Sequence, residues 1–116
     1  MHNYKNLKIW KKSLDLVEVI YKETKAFPDD EKYGLTSQLR RASVSIPSNI
    51  AEGSSRNSQK EFYHFLSISL GSTYEVGTQI ELCRRIELLD DQLSAKIQSQ
   101  LDEIEKMIIG YMKTLV

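Results

Sequence analysis

The chain has one cysteine, Cys83, two prolines, two histidines and no long apolar run. A lone cysteine cannot close an internal disulfide and suits a reducing compartment, so a cytoplasmic protein is expected. Without a run of about twenty apolar residues there is no membrane-spanning segment. The opening MHNYKNLKIW also lacks a signal-peptide core. Two prolines and five glycines in 116 residues leave few break points, so the elements must be long. Neither charge sign is in excess: 16 Lys/Arg balance 16 Asp/Glu, which argues against strong, purely electrostatic binding of nucleic acid.

Catalytic groups are scarce as well. His2 sits in a frayed terminus and His64 beside Tyr63, and neither belongs to an HxxxH, ExxH or Cys/His arrangement. No metal ligand set and no cofactor is expected on that ground. Cys83 falls on an apolar seam and reads as a small buried hydrophobe. Ser43, Ser45 and Ser48 surround Pro47 without a histidine base at helical spacing. Gly53, Gly71 and Gly77 match neither nucleotide-binding fingerprint. Arg41, Glu52 and Glu75 are residue types that can exchange protons, but a structural polar network is the better reading. No catalytic residue is assigned.

What remains is a composition of 41% hydrophobic and 28% charged residues, an ordinary single domain over 1–116 with one small core. Charge is unevenly placed along it. Residues 1–60 hold eleven Lys/Arg and seven Asp/Glu, a balance of +4; residues 61–116 hold five and nine, a balance of −4. Either an oligomer gathers the basic half on one surface, or the halves attract within the bundle or between subunits.

Helical periodicity dominates the chain. Helix one is expected from about Leu7 to Ala26, capped by Asn6 and ended by Pro28. It carries two apolar rows, Leu7, Trp10, Leu14, Val17 and Tyr21, then Ile9, Leu16, Ile20 and Phe27. Half its circumference is thus apolar, more than one neighbouring helix covers, which favours a second partner. Helix two is expected over Lys32–Glu52, with Gly53 as a left-handed cap. Pro47 inside it kinks one helix or divides it in two, and a Ser43 or Ser45 hydroxyl can answer part of the freed backbone. Helix three opens on a capping box, Ser58 with Glu61. Its seam is Phe62, Leu66, Ser69, Thr73, Val76, Ile80 and Cys83, flanked by Ile68, Ser72, Glu75, Gln79, Leu82, Ile86 and Leu89. Gly71 and Gly77 in its middle suit the close approach of another backbone. Helix four starts after Asp90 or Asp91 and follows Leu93, Ile97, Leu101, Ile104, Ile108, Tyr111 and Leu115, with one sticky face. Met107 and Met112 look like core filler. The expected fold is all-α, an antiparallel up-down-up-down four-helix bundle with helix two kinked at Pro47.

The stretch QLRRASVSIPSNIAEG organises the rest. Leu35, Leu39, Ala42, Ile46, Ile50 and Gly53 form an apolar seam, and beside it Gln38, Arg41, Ser45, Asn49 and Glu52 recur at the same steps. A polar row bordering a core, with Glu75 as the carboxylate for Arg41, is expected to lock inward, against the adjacent helix or a second copy, as a hydrogen-bonded register device. Lys8, Lys11, Lys12, Lys22, Lys25, Arg40, Arg56 and Lys60 are either a solvated face or contacts for nucleic acid. Arg40 and Arg41 point about 100° apart on a helix, and Arg40 is expected to be the exposed one.

GLTSQLRRASVSIPSNIAEG, followed by SRNSQKEF and SLGSTYE, resembles the small bacterial four-helix-bundle proteins named after the intervening sequences of 23S ribosomal RNA. The accessory variability protein of diversity-generating retroelements is a relative. The similarity runs from Tyr4 to about Leu89. It implies a bundle that assembles with itself, often as a ring of five, and a role in binding RNA or a nucleoprotein. A non-enzymatic, self-assembling scaffold or adaptor is therefore the first expectation, and nucleic-acid or nucleoprotein binding the alternative.

Overall fold

A computed structural model describes residues 3–31 and 33–116. His2 lies outside the described residues. Four helices account for most of the chain: α1 (Lys8–Thr24), α2 (Leu35–Ser54), α3 (Gln59–Arg85) and α4 (Asp91–Lys113). Each packs on the next, and α1 also packs on α4, while among the described residues no Cα atoms of the diagonal pairs come within 8 Å. No strand occurs among the described residues. The all-α, up-down-up-down bundle expected from periodicity is therefore present.

Apolar spacing places the core. From α1 come Ile9, Leu16 and Ile20; from α2 Leu39, Ala42, Ile46 and Ile50; from α3 Phe62, Leu66, Val76, Ile80 and Cys83; from α4 Ile97, Leu101, Ile104 and Ile108. Every residue of the expected α3 seam is buried, Ser69 and Thr73 included. Met112 is buried and Met107 packs against the core, as expected of filler.

The helix ends differ from expectation in informative ways. Asn3, not Asn6, acts as the first cap: its Oδ1 accepts from the Lys5 amide at 3.2 Å and opens a short 3-10 turn, Tyr4–Asn6. That turn lays Tyr4 edge-on against Trp10, ring centroids 5.1 Å apart, and delays α1 to Lys8. Ser58 and Asp90 cap α3 and α4 by accepting from the amides of Glu61 and Leu93.

Gly53 is not a left-handed cap. No glycine among the described residues has a positive φ, and α2 runs on to Ser54. Gly53 is required for proximity instead: a Cβ there would stand 2.7 Å from Phe65 Cβ and 2.9 Å from Phe62 Cδ1. The close approach expected at Gly71 is absent, since nothing lies within 4 Å of a Cβ built there. The α2–α3 contact tightens at Gly53 and at Ser69, whose hydroxyl donates to the Ile46 carbonyl at 2.9 Å.

Pro47 is buried within a continuous α2, so the helix is not divided in two. The carbonyl it deprives of a donor is that of Ser43. Neither serine expected to help does so: Ser43 Oγ donates to the Arg40 carbonyl, and Ser45 Oγ bonds Ser72 Oγ at 2.9 Å.

The left-handed position falls at Glu87, φ 65°. Leu88 N donates to the Cys83 carbonyl at 2.8 Å and Glu87 N to Arg84 O at 3.1 Å. This is the paired pattern of a Schellman turn, here without the usual glycine.

Candidate functional site

The outer surface of α2, with the flanks of α1 and α3 beside it, is where the expected site residues lie. The α2 seam of Leu35, Leu39, Ala42, Ile46, Ile50 and Gly53 is buried throughout. The buried sector extends to the side opposite the expected one, through Thr36, Ser43, Pro47 and Ser54. Those small residues let α1 close against α2. The row Gln38, Arg41, Ser45, Asn49, Glu52 is left on the open side: Gln38, Arg41 and Glu52 are exposed, Ser45 and Asn49 half-buried.

A shorter network survives in the middle of that row. Asn49 Nδ2 donates to Ser45 Oγ at 3.0 Å and to the Ser45 carbonyl at 2.8 Å. Ser45 Oγ meets Ser72 Oγ across the helix pair, and Ser72 Oγ also reaches the Ile68 carbonyl at 3.2 Å. These bonds fix how α3 lies along α2, the register role expected of the whole row.

The expected Arg41–Glu75 pair does not form within the chain. Glu75 is exposed and accepts from Gln79 Nε2 at 3.4 Å, while Glu52 pairs with Arg56 at 3.1 Å. Arg41 has water around it and no desolvated charge to balance, so nothing compels a carboxylate.

The two arginines have exchanged roles. Arg40, expected to be exposed, is half-buried in the α1–α2 groove. Its Nε donates to Thr24 Oγ1 at 2.8 Å, and its guanidinium carbon lies 4.6 Å from the centre of the Tyr21 ring. A hydroxyl, a carbonyl and a π face satisfy it in place of an acid. The preceding sequence signal was the small-residue flank of α2, which admits a long side chain along the groove.

The other basic candidates divide in two. Lys12 pairs with Glu103 of α4 at 3.0 Å, and that contact raises its pKa. Arg56 pairs with Glu52 and lies 5.0 Å over the Phe65 ring. Lys8, Lys11, Lys22, Lys25 and Lys60 are exposed, with no ion pair among the described residues.

Beside these polar groups run two uncovered apolar strips. On α1, Ile9, Leu16, Ile20 and the following Phe27 fill the core, but Leu14 and Val17 are only half-buried and Tyr21 is 40% exposed. On α3, Ile68, Leu82 and Ile86 are 40%, 47% and 50% exposed. Arg40 over Tyr21 and Ser45 on Ser72 show that α2 lies between the two strips.

Reactive groups are quiet. Burial pushes the Cys83 thiol up to about 11, so it is protonated at neutral pH and a poor nucleophile. Among the described residues no cluster of three His, Cys, Asp or Glu is placed to hold a metal ion. No helix there is long and apolar enough to cross a membrane.

The fold is shared with a solved structure from Bacteroides thetaiotaomicron, described as a protein with unknown function from the S23 ribosomal protein family. The TM-score is 0.82 at 25% identity, over 90% of this chain and 95% of that one. No curated protein sequence matches. The family model for the 23S rRNA-intervening sequence protein matches residues 5–110, from the first turn to near the end of α4. On that span, and with the four-helix fold in place, the chain belongs to the 23S rRNA-intervening sequence protein family.

Proposed function

We propose that this protein is a non-enzymatic scaffold or adaptor of the cytoplasm that works by assembling with itself. The observation that carries the reading is the pair of apolar strips on either side of α2. They differ in make-up: Leu14, Val17 and Tyr21 on one, Ile68, Leu82 and Ile86 on the other. One strip meeting the other strip of the next copy is a head-to-tail contact, which closes into a ring where the rotation allows. Resemblance to the family's ring-forming members favours five subunits.

Charge supports the same reading. Of the ion pairs among the described residues, Lys12–Glu103 alone joins the basic half to the acidic half. The remaining opposite charges are left to meet between copies. Analytical ultracentrifugation at tens of micromolar tests the reading: a multiple of the chain mass is expected, and a single-chain species contradicts it.

A second reading, binding of RNA or a nucleoprotein, is favoured by the unpaired Lys8, Lys11, Lys22 and Lys25 along α1. A ring would repeat that stripe once per subunit and multiply its potential. Retention of RNA that falls steeply with salt, and drops for Lys11→Glu/Lys22→Glu, is the expected result. Salt-insensitive retention, or none at low salt, contradicts it. Lys12 and Arg40 are poor choices for that test because each is bonded within the chain.

A further inference from the structure

Where α2 begins beside the end of α1, a cleft of about 350 Å³ is lined by Tyr21, Tyr33, Thr36, Ser37, Arg40 and Arg41. Its size falls at the small end of ligand pockets, roughly 300–1,000 Å³. Two guanidinium groups, two aliphatic hydroxyls and two tyrosines line it, with no carboxylate among the described residues; the acidic turn Asp29–Glu31 contributes none of its side chains.

Several donors there are unspent. Arg41 and Ser37 have no hydrogen-bond partner among the described residues, and the Thr36 hydroxyl is buried without one, on a residue only 7% exposed. Arg40 uses two of its five N–H groups on Thr24 Oγ1 and the Tyr21 carbonyl. Those bonds and the Tyr21 ring hold its plane in place at no further ordering cost. Tyr33, 89% exposed, adds an aromatic surface at the mouth.

We propose that this cleft binds a phosphate group carried on a flat heterocycle, as in a nucleoside monophosphate. Arg41, the free N–H groups of Arg40 and the Ser37 hydroxyl hold the phosphate oxygens. The heterocycle stacks on the Tyr33 ring or the open side of the Arg40 guanidinium, both surfaces that flat bases use. The site needs no second copy; it shares Tyr21 with the α1 apolar strip, and none of the α1 lysines lines it.

Titration calorimetry of the wild-type protein at low salt, with adenosine monophosphate, inorganic phosphate and adenosine in separate runs, tests this. The monophosphate is expected to bind about tenfold more tightly than either fragment, and Arg41→Ala to weaken it about tenfold, the scale of one charge-assisted bond. Arg41 is exposed, so the variant keeps its melting temperature. Lys8→Ala/Lys11→Ala serves as the control and is expected to bind as wild type. Equal affinity for monophosphate and inorganic phosphate overturns the stacking half of the proposal. Binding unchanged in Arg41→Ala, or lost equally in the lysine control, overturns the site.

Discussion

Arg40 lies over Tyr21, its guanidinium carbon 4.6 Å from the ring centre, and ties α2 to α1 through Thr24. Its neighbour Arg41 points to solvent. Arg40→Met is therefore expected to cost roughly 1–2 kcal/mol, from a charge-assisted bond and a partly desolvated cation–π contact. Arg41→Met is expected to stay within about 0.5 kcal/mol of wild type. Urea denaturation of the two variants checks the contrast; equal losses would mean that both arginines are packed alike.

Glycine positions offer a test with opposite signs. Gly53→Ala drives a methyl group into Phe62 and Phe65, and overpacking of this kind costs roughly 1–3 kcal/mol. Gly71→Ala meets nothing within 4 Å and is expected to gain about 0.5–1 kcal/mol from helix propensity. Thermal unfolding should move down for the first and up for the second.

At the end of α3, Glu87 takes a left-handed conformation that a side chain disfavours. Glu87→Gly relieves that strain and is expected to stabilise the chain by about 1 kcal/mol. No ion pair is lost with it among the described residues. A lower melting temperature in the glycine variant would show that the Schellman turn is not relaxed by glycine.

Hydrogen bonds from Arg84 and then Arg85 hold the Glu81 carboxylate at about 2, below its ordinary 4.5. Because the folded value is the lower one, the stability Glu81 lends is whole above about pH 4.5 and drains as pH falls toward about 2. The cluster is exposed, so its worth is modest and shrinks with salt. Melting temperatures of wild type and Glu81→Gln should differ near pH 6 and draw together as pH falls from about 4.5 toward about 2. A gap that stays constant through that window would remove the assignment.

Much of the fold was legible in the sequence because period and punctuation agreed. The α3 seam and the inner row of α1 are buried residue for residue, the α4 seam is buried except at the half-buried Leu93 and Tyr111, and Ser58 starts α3 where its capping box stands. Within the chain the polar row of α2 closes only at its middle, where Asn49, Ser45 and Ser72 bond. The size of the opposite flank decides how α1 packs. Thr36, Ser43 and Pro47 are small enough for α1 to approach, and that approach turned Arg40 inward and Arg41 out. Gly53 sits where a cap would, but the Phe62 and Phe65 side chains that require a missing Cβ arrive from another helix. The Tyr21–Arg40–Thr24 cluster joins residues up to nineteen positions apart, a pairing that periodicity within one helix does not register.

Sedimentation velocity of the wild-type protein and of Ile68→Asp/Leu82→Asp, both at tens of micromolar, addresses the proposed assembly most directly. Both positions are already near half exposed, so the variant keeps its helical circular dichroism. The wild type is expected to sediment as one discrete oligomer and the variant as a single folded chain. A wild type that sediments as a single chain, or an oligomer untouched by the two aspartates, contradicts the account.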